Sequence, residues 1–478
     1  MRKSVFGNRS SEMHKPSPDP EGHGTSRALD RRSFLKKSIQ SGIAVGLWTA
    51  GGCATGSRTS LPNVLLITLD TTRFDRLSCY GYSLPTSPNL DALAAESVFY
   101  THAYSTSSWT LPAHASIFTG KLVSSHGAQK DPTGPLKFST GIQGPENWNK
   151  IRAQGLSVDE TTLAQILKSA GYNTGAVVAG PWMKKVFGLN KGFDYYNDYG
   201  IKKLHGRLAP SVTKAAMHWL QTRDTDNPFF LFLNYFDPHL PYFLPQEDAN
   251  VFMSDDRSYT QNERLSLMYS AEIRFMDKHI GVLMDRLKQT GQFDNTMIVI
   301  TADHGELWGE HGMMGHGKSL FEPEIHIPQF VKYPRGEVAH SVSDVRTQVI
   351  DIMPLILERL GTPSPSGIQG TLPGQGVHPL IAEVYPLEFF TSRGDFQAIW
   401  DGKYKFVLNS KGNHELYDLD ADPDELKNLV DEDSARAAEL KSKLTTRLAA
   451  LPKPGRAGPD QTIGEELSET LEALGYLE

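Results

Sequence analysis

The chain has 478 residues and a formal net charge of −7, with 39% of its residues hydrophobic and 10% aromatic. This is a globular composition, and the length suits more than one folded unit. The mild acidity, with no basic cluster beyond the N-terminus, argues against a nucleic-acid partner, and two cysteines, Cys53 and Cys79, give no disulfide framework.

In chain order, residues 1–29 are polar and rich in Pro, Gly and Ser, the composition of a disordered segment. DRRSFLKK at 30–37 places paired arginines before Phe34 and Leu35, in the pattern of a twin-arginine export signal. The Gly/Ala-rich run from Ser38 to Gly52 is too short to span a bilayer. It ends in TAGGC, which makes Cys53 a lipobox-like cysteine, although Ala50 stands where leucine is usual. Residues 1–60 are thus expected to be signal and tether. The chain is then periplasmic or held at the membrane by a lipidated Cys53; plain export with nearby cleavage is the alternative.

Residues 61–360 read as a catalytic α/β domain. LLITLD at 65–70 and MIVITADH at 297–304 are short, β-branched and free of charge until their ends. Such runs are strands buried on both faces of a parallel sheet. Residues leaving them project at the carboxyl edge, where open α/β sheets place ligands. Asp70, Asp303 and His304 are therefore expected to meet, and two carboxylates with an imidazole suit a divalent cation. In SPNLDALAAES, Ser87 is the expected N-cap and Pro88 the first helical residue. SWTLPAHASIFTG at 108–120 puts Thr110 at or next to a helix start, an anion-binding location. There Thr110 either caps the helix or serves as a nucleophile activated by the cation's charge. Further strands are expected at 175–179, 229–235 and 326–332, and a helix over 260–289 with Ile273, Met276, Ile280, Leu283, Met284 and Leu287 on one face. Strands alternating with helices imply a parallel sheet.

Residues 129–157 lack periodicity and read as a lid, a substrate wall or disorder. GTPSPSGIQGTLPGQG opens a linker over 361–380, followed by a small antiparallel α+β subdomain at 381–455 and a tail at 456–478. Within the subdomain, FQAIWDGKYKFVLN is two strands around Asp401-Gly402, and Ala437–Leu451 has amphipathic helical spacing.

The pieces PNVLLITLDTTR, LPTSPNLDALAAES, SWTLPAHASIFTG, SHG, FGLNKGFDYY, YFDPHLPY, ITADHGELWGEHG, HGKSLFEPEIHIP, YKFVLN and ELYDLDADPDELKNL run in order from about 62 to 435. Together they resemble the sulfatase family of the alkaline phosphatase superfamily. The resemblance implies a doubly wound, mostly parallel α/β domain with a small antiparallel C-terminal subdomain. It also implies metal-dependent hydrolysis of a small-molecule or glycan sulfate or phosphate ester.

The chain departs from the family at the reacting residue. Most sulfatases carry Cys or Ser followed by x-Pro-x-Arg, and that Cys or Ser is oxidised to formylglycine. The resemblance places Thr110 at the oxidised position and His114 at the arginine. Threonine is a secondary alcohol whose oxidation yields no aldehyde, so no formylglycine is expected. In-line attack by a Thr110 alkoxide, through a covalent intermediate, is expected instead. The family's paired aspartates at the first strand become Asp70 and Thr71. The implied metal set is then Asp70, Thr71, Thr110, Asp303 and His304, with one carboxylate fewer, which weakens calcium relative to zinc or manganese.

In YFDPHLPY, the resemblance implies that His239 contacts the transferring group, or that Asp237, His239 and His316 hold a second cation as in two-metal relatives. The family's lysine lies five residues before the acid of HGKSLFE, which here is Gly317. His316 or Lys318 is therefore the expected proton donor to the leaving group. His126 of SHG is a supporting candidate. Lys184 and Lys185 of GPWMKKVFG, where the family has GKWH, read as surface charge, and His205, His218, His340, His378 and His414 as structural or solvated. The function expected is an exported, metal-dependent ester hydrolase, with phosphate favoured over sulfate on the nucleophile argument. The alternatives are a phosphodiesterase or phosphoalcohol transferase, and a catalytically silent binder of sulfated or phosphorylated glycans.

Overall fold

In the computed structural model the chain divides into Met1–Thr59 and a compact unit, Ser60–Glu478. The structure describes residues 61–131, 133–138, 152–201, 206–242, 246–254, 257–375, 379–386, 393–459 and 461–473. The expected signal, Cys53, His205 and His378 lie outside the described residues.

The elements of the larger part are, in chain order, β1 (Asn63–Leu69), α1 (Pro88–Ala94), β2 (Val98–Tyr104), α2 (Thr110–Thr119), α3 (Leu163–Ser169), β3 (Asn173–Val177), β4 (Tyr195–Asn197), α4 (Ala209–Thr222), β5 (Phe229–Tyr235), α5 (Gln261–Gln289), β6 (Thr296–Thr301), α6 (Glu322–Ile325), β7 (His326–Lys332), β8 (Ser341–Ser343) and α7 (Ile352–Arg359). The strands order as β8-β2-β7-β6-β1-β5-β3-β4, with Thr347–Gln348 beside β2. Pairing is parallel except at β7, which runs antiparallel to both β6 and β2. This is the expected mostly parallel α/β sheet.

β1 lies in the middle, between β5 and β6, which is why NVLLITL carries no charge: all seven residues are buried. Truncating one such core leucine to alanine costs about 2–5 kcal/mol. The register also sets the site. Thr68 pairs with Thr301 on one side and Leu69 with Tyr235 on the other. The chain therefore leaves three adjacent strands at one level. Asp70 and Asp303, each two residues past the Thr68–Thr301 pair, emerge side by side.

The long helix α5 begins with a capping box, Thr260 and Glu263 each bonding the other's backbone N–H. The start of α1 differs from expectation. Ser87 occupies the N-cap position, but its hydroxyl bonds Asp91, and the Asn89 and Leu90 N–H groups are taken by Asp277 of α5.

The C-terminal part is an antiparallel meander of β9 (Ile381–Val384), β10 (Phe396–Asp401), β11 (Tyr404–Asn409) and β12 (Glu415–Asp418). The β10–β11 turn uses Gly402 at φ +59°, a left-handed conformation suited to glycine. α8 (Ser434–Ala449) packs Leu440 and Leu444 into a cluster with Ile381, Ile399, Phe406 and Leu416.

Three further expectations need correction. The aperiodic stretch 129–157 contributes strands at Gln129–Lys130, Leu136–Phe138 and Arg152–Gln154. They form a four-stranded sheet with Gln461–Ile463, which pairs parallel to Leu136–Phe138. The expected tail therefore carries a strand, followed by a helix at Glu465–Ala473. Strands of two or three residues are too short to show an alternating pattern. The 361–380 stretch is also packed: Gln369 and Gly370 N–H both donate to the Gly120 carbonyl, and a Cβ on Gly370 would lie 2.0 Å from the Ile350 carbonyl oxygen.

Candidate functional site

Asp70, Asp303 and His304 are all fully buried, and each offers a ligand atom within 4.8 Å of the others. Among the described residues this is the one such group of three. Each member is steered by a neighbour. Asn234 of β5 donates to Asp70 Oδ2 at 3.1 Å, and its Oδ1 accepts the Ala179 and Gly180 N–H groups. Asp303 Oδ1 accepts the Thr71 N–H at 3.3 Å and the His304 N–H at 3.0 Å. His304 Nδ1 bonds the Gly305 carbonyl at 2.9 Å, so Nδ1 carries the proton and Nε2 keeps a lone pair.

The chemistry of this donor set fits a cation. Asp70 Oδ1, Thr71 Oγ1 and Asp303 Oδ2 are buried without a hydrogen-bond partner, a state that costs about 1–3 kcal/mol per group. Burial, then the nearby Asp303 charge, holds the Asp70 carboxyl well above its usual range, and burial raises Asp303 as well. Burial pushes the His304 imidazole down to about 4, leaving it neutral. Thr71 sits at φ +53°, a strained left-handed conformation for a β-branched residue. Tyr269 holds it there by donating to the Thr71 carbonyl at 2.7 Å while accepting the Arg73 N–H at 2.9 Å.

Thr110 is the first residue of α2, after Trp109 at the N-cap, and makes no side-chain cap. Its Oγ1 lies 3.3 Å from His304 Nε2 instead, and the residue is 1% exposed. The capping role is thus not the one Thr110 plays. His114 is fully buried one turn on. Its Nδ1 bonds the Thr110 carbonyl at 2.9 Å and lies 3.5 Å from Asp303 Oδ2, and its Nε2 lies 2.9 Å from Thr68 Oγ1. With both nitrogens engaged by Thr68, the Thr110 carbonyl and Asp303, His114 braces Thr110 and Asp303.

Further histidines gather beside His304. The His316 ring lies 4.5 Å from the His304 ring and 4.9 Å from that of His239, centroid to centroid. His239 stacks on Phe236 and bonds the Leu240 carbonyl through Nδ1. Burial and the adjacent His316 push His239 down to about 3. His316 Nδ1 lies 3.1 Å from Glu306 Oε1, and the other Glu306 oxygen accepts the Tyr242 hydroxyl at 2.9 Å. Lys318 turns back to the Met314 carbonyl at 2.8 Å.

The second-cation set does not assemble as expected: Asp237 Oδ2 accepts the Ala209 N–H at the start of α4, and no group of three with His239 and His316 forms among the described residues. His126 is occupied by Ser116 Oγ and the Ala128 N–H. Sequence reasoning missed Asn234, Tyr269, Tyr242 and Glu306. Only Glu306 had a signal, its place in DHGE.

Comparison with known proteins adds a family context. The sulfatase family model matches residues 62–362, and the model of the N-sulphoglucosamine sulphohydrolase C-terminal region matches 309–453. An N-acetylglucosamine-6-O-sulfatase of Bacteroides thetaiotaomicron is 24% identical over 78% of this chain and 83% of its own. A solved structure of a protein bound to its substrate D-glucosamine-2-N,6-O-disulfate superposes with a TM-score of 0.68 at 19% identity, over 82% of this chain and 98% of the other. A phosphonate monoester hydrolase of Agrobacterium radiobacter superposes with a TM-score of 0.65 at 20% identity, over 81% and 95%. These two structural likenesses are of fold.

Proposed function

Because the chain belongs to the sulfatase family, a family of ester hydrolases, we propose that it is a metal-dependent hydrolase of phosphate or sulfate esters in which Thr110 is the nucleophile. The observation that carries the reading is the placement of Thr110 Oγ1, at a helix start and 3.3 Å from the Nε2 of His304 in the acidic group. Asp70, Asp303 and His304, with Thr71 beside them, would hold the cation. A divalent ion there supplies positive charge that favours an ionised hydroxyl and a bound anionic ester. With two carboxylates and an imidazole, zinc or manganese suits the set better than calcium.

Thr110 Oγ1, its proton released to solvent, attacks phosphorus or sulfur in line, and the bond to the ester's alcohol oxygen breaks. His316 or Lys318 gives that oxygen its proton. Water then cleaves the Thr110 ester and restores the hydroxyl. His114 keeps Thr110 and Asp303 in place, while Glu306 fixes the ring of His316. Phosphate esters are favoured over sulfate esters because a threonine has no aldehyde to offer. That one fold carries both a glucosamine disulfate binder and a phosphonate monoester hydrolase supports either transferred group. The N-terminal DRRSFLKK and TAGGC support export, with tethering through Cys53.

The test is turnover of matched aryl phosphate, phosphodiester and sulfate substrates after loading with zinc or manganese. Thr110→Ala is expected to lose about a thousand-fold or more in kcat, the scale on which a removed nucleophile acts. A Thr110→Ala rate equal to wild type would overturn the nucleophile. Sulfate turnover far above phosphate turnover would overturn the preferred substrate class. Ligand binding without any turnover, surviving Thr110→Ala, would identify a silent binder.

A further inference from the structure

Two motifs of the C-terminal part, YKFVLN and ELYDLDADPDELKNL, have no place in the chemistry above, yet their charged residues converge on the turn that follows His316 and Lys318. Lys405 of β11 is fully buried. Its ammonium donates to Glu425 Oε1 at 2.6 Å, to Glu322 Oε1 at 3.2 Å and to the Leu320 carbonyl, which occupies all three of its N–H groups. Glu425 Oε2 accepts the Glu322 N–H at 2.7 Å. Glu425 sits at φ +54°, a conformation a non-glycine residue keeps only when its surroundings impose it. Asp422 fixes that bend by accepting the Leu426 and Lys427 N–H groups.

The element gripped in this way, α6, bonds segments on either side of it that carry the site residues, next to His304 on one side and three residues from His316 on the other. The Glu324 carbonyl accepts the N–H of Gly305, the residue after His304, at 2.7 Å. The backbones are in contact there, since a Cβ on Gly305 would lie 2.1 Å from the Pro323 carbonyl oxygen. On the other side, Ser319 Oγ donates to Glu324 Oε2. Only Gly317 and Lys318 separate Ser319 from His316, and Gly317 lies against Trp109, the N-cap residue before Thr110. A buried ion cluster has only weak claim to raising stability, since desolvation offsets its attraction, whereas removing one partner strands a buried charge.

We propose that Lys405 is a positioning residue: paired with Glu425 and Glu322, it lets the C-terminal subdomain set the turn that presents His316 and Lys318 to the leaving oxygen. What the turn does rests on the hydrolase reading; that the turn is held does not. The variants are Lys405→Met and Lys405→Met/Glu425→Gln in the full chain, the second keeping a folded comparison if the unpaired Glu425 charge unfolds the first.

Hydrogen–deuterium exchange reads the holding directly. Amides of 314–325 are expected to exchange about ten-fold faster or more in the double variant, with β1 and β6 as protected as in wild type. Unchanged exchange over 314–325 overturns the proposal. Kinetics reads its consequence. A lost proton donor geometry should cost about ten-fold or more in kcat on a phenyl ester and under about three-fold on a 4-nitrophenyl ester, whose leaving group needs no acid. An equal loss on both esters overturns the positioning role. If the wild type turns over neither ester, the hydrolase reading falls, while the exchange result still decides whether Lys405 holds the turn.

Discussion

Asn234 spends its whole side chain on holding other groups: one amide hydrogen reaches Asp70, and the oxygen collects the Ala179 and Gly180 N–H groups. Gly180 is drawn so near that a Cβ there would lie 3.3 Å from Asp70 Oδ2. Replacing Asn234 with alanine leaves two buried donors unpaired, at about 1–3 kcal/mol each. It also frees Asp70 to turn, and loss of such an outer partner lowers metal affinity by about 10–100-fold. Asn234→Ala should therefore show both a lower unfolding free energy in denaturant and weaker zinc or manganese binding by calorimetry. Unchanged affinity would mean that Asp70 keeps its orientation unaided.

Helix α1 shows how an element can depend on a residue far along the chain. Its first N–H groups are satisfied by Asp277, so Asp277→Ala should cost about 1–2 kcal/mol, as loss of a cap does. Ser87→Ala should cost less, and the reverse ranking in denaturant melts would contradict the assignment. α6 offers a pH test. Burial alone would raise the Glu322 carboxyl, but Lys405 and His326 outweigh it and hold the group below its usual 4.5. A carboxyl depressed in the fold contributes stability that is present above its unfolded value and lost as pH falls through the folded one. The difference in unfolding free energy between wild type and Glu322→Gln should therefore shrink as pH drops from about 5 to about 3. Glu425, which burial holds above its usual value, carries the opposite sign, so the difference between these two proteins is the measure rather than the wild-type total. A difference that stays level across that range would remove the ion pair from the account.

At the scale of the molecule, the sheet brings Asp70, Asp303 and His304 together from distant segments, and residues of the C-terminal meander grip the turn beside them. Among the described residues no helix is long and apolar enough to cross a membrane; the tether proposed through Cys53 is tested separately. Palmitate labelling in a bacterial host is expected to mark the wild-type chain and to disappear in Cys53→Ala. An unlabelled wild type would remove the tether.

The parallel sheet, the long helix and the meeting of Asp70, Asp303 and His304 could be read from the residues alone, because uninterrupted apolar runs set which strands are buried and strand ends set which residues project. The position of Thr110 at a helix start was legible for a different reason, since Thr-x-Pro is a local pattern. The remaining features depend on long-range packing. Asp277 caps a helix whose Asn89 lies 188 residues earlier in the chain, Gln461–Ile463 completes a sheet with Leu136–Phe138, and Asn234, Tyr269 and Lys405 act through partners well removed in sequence. Hydrogen bonds and ion pairs of that kind depend on which surfaces the fold presses together, and no spacing along the chain encodes them.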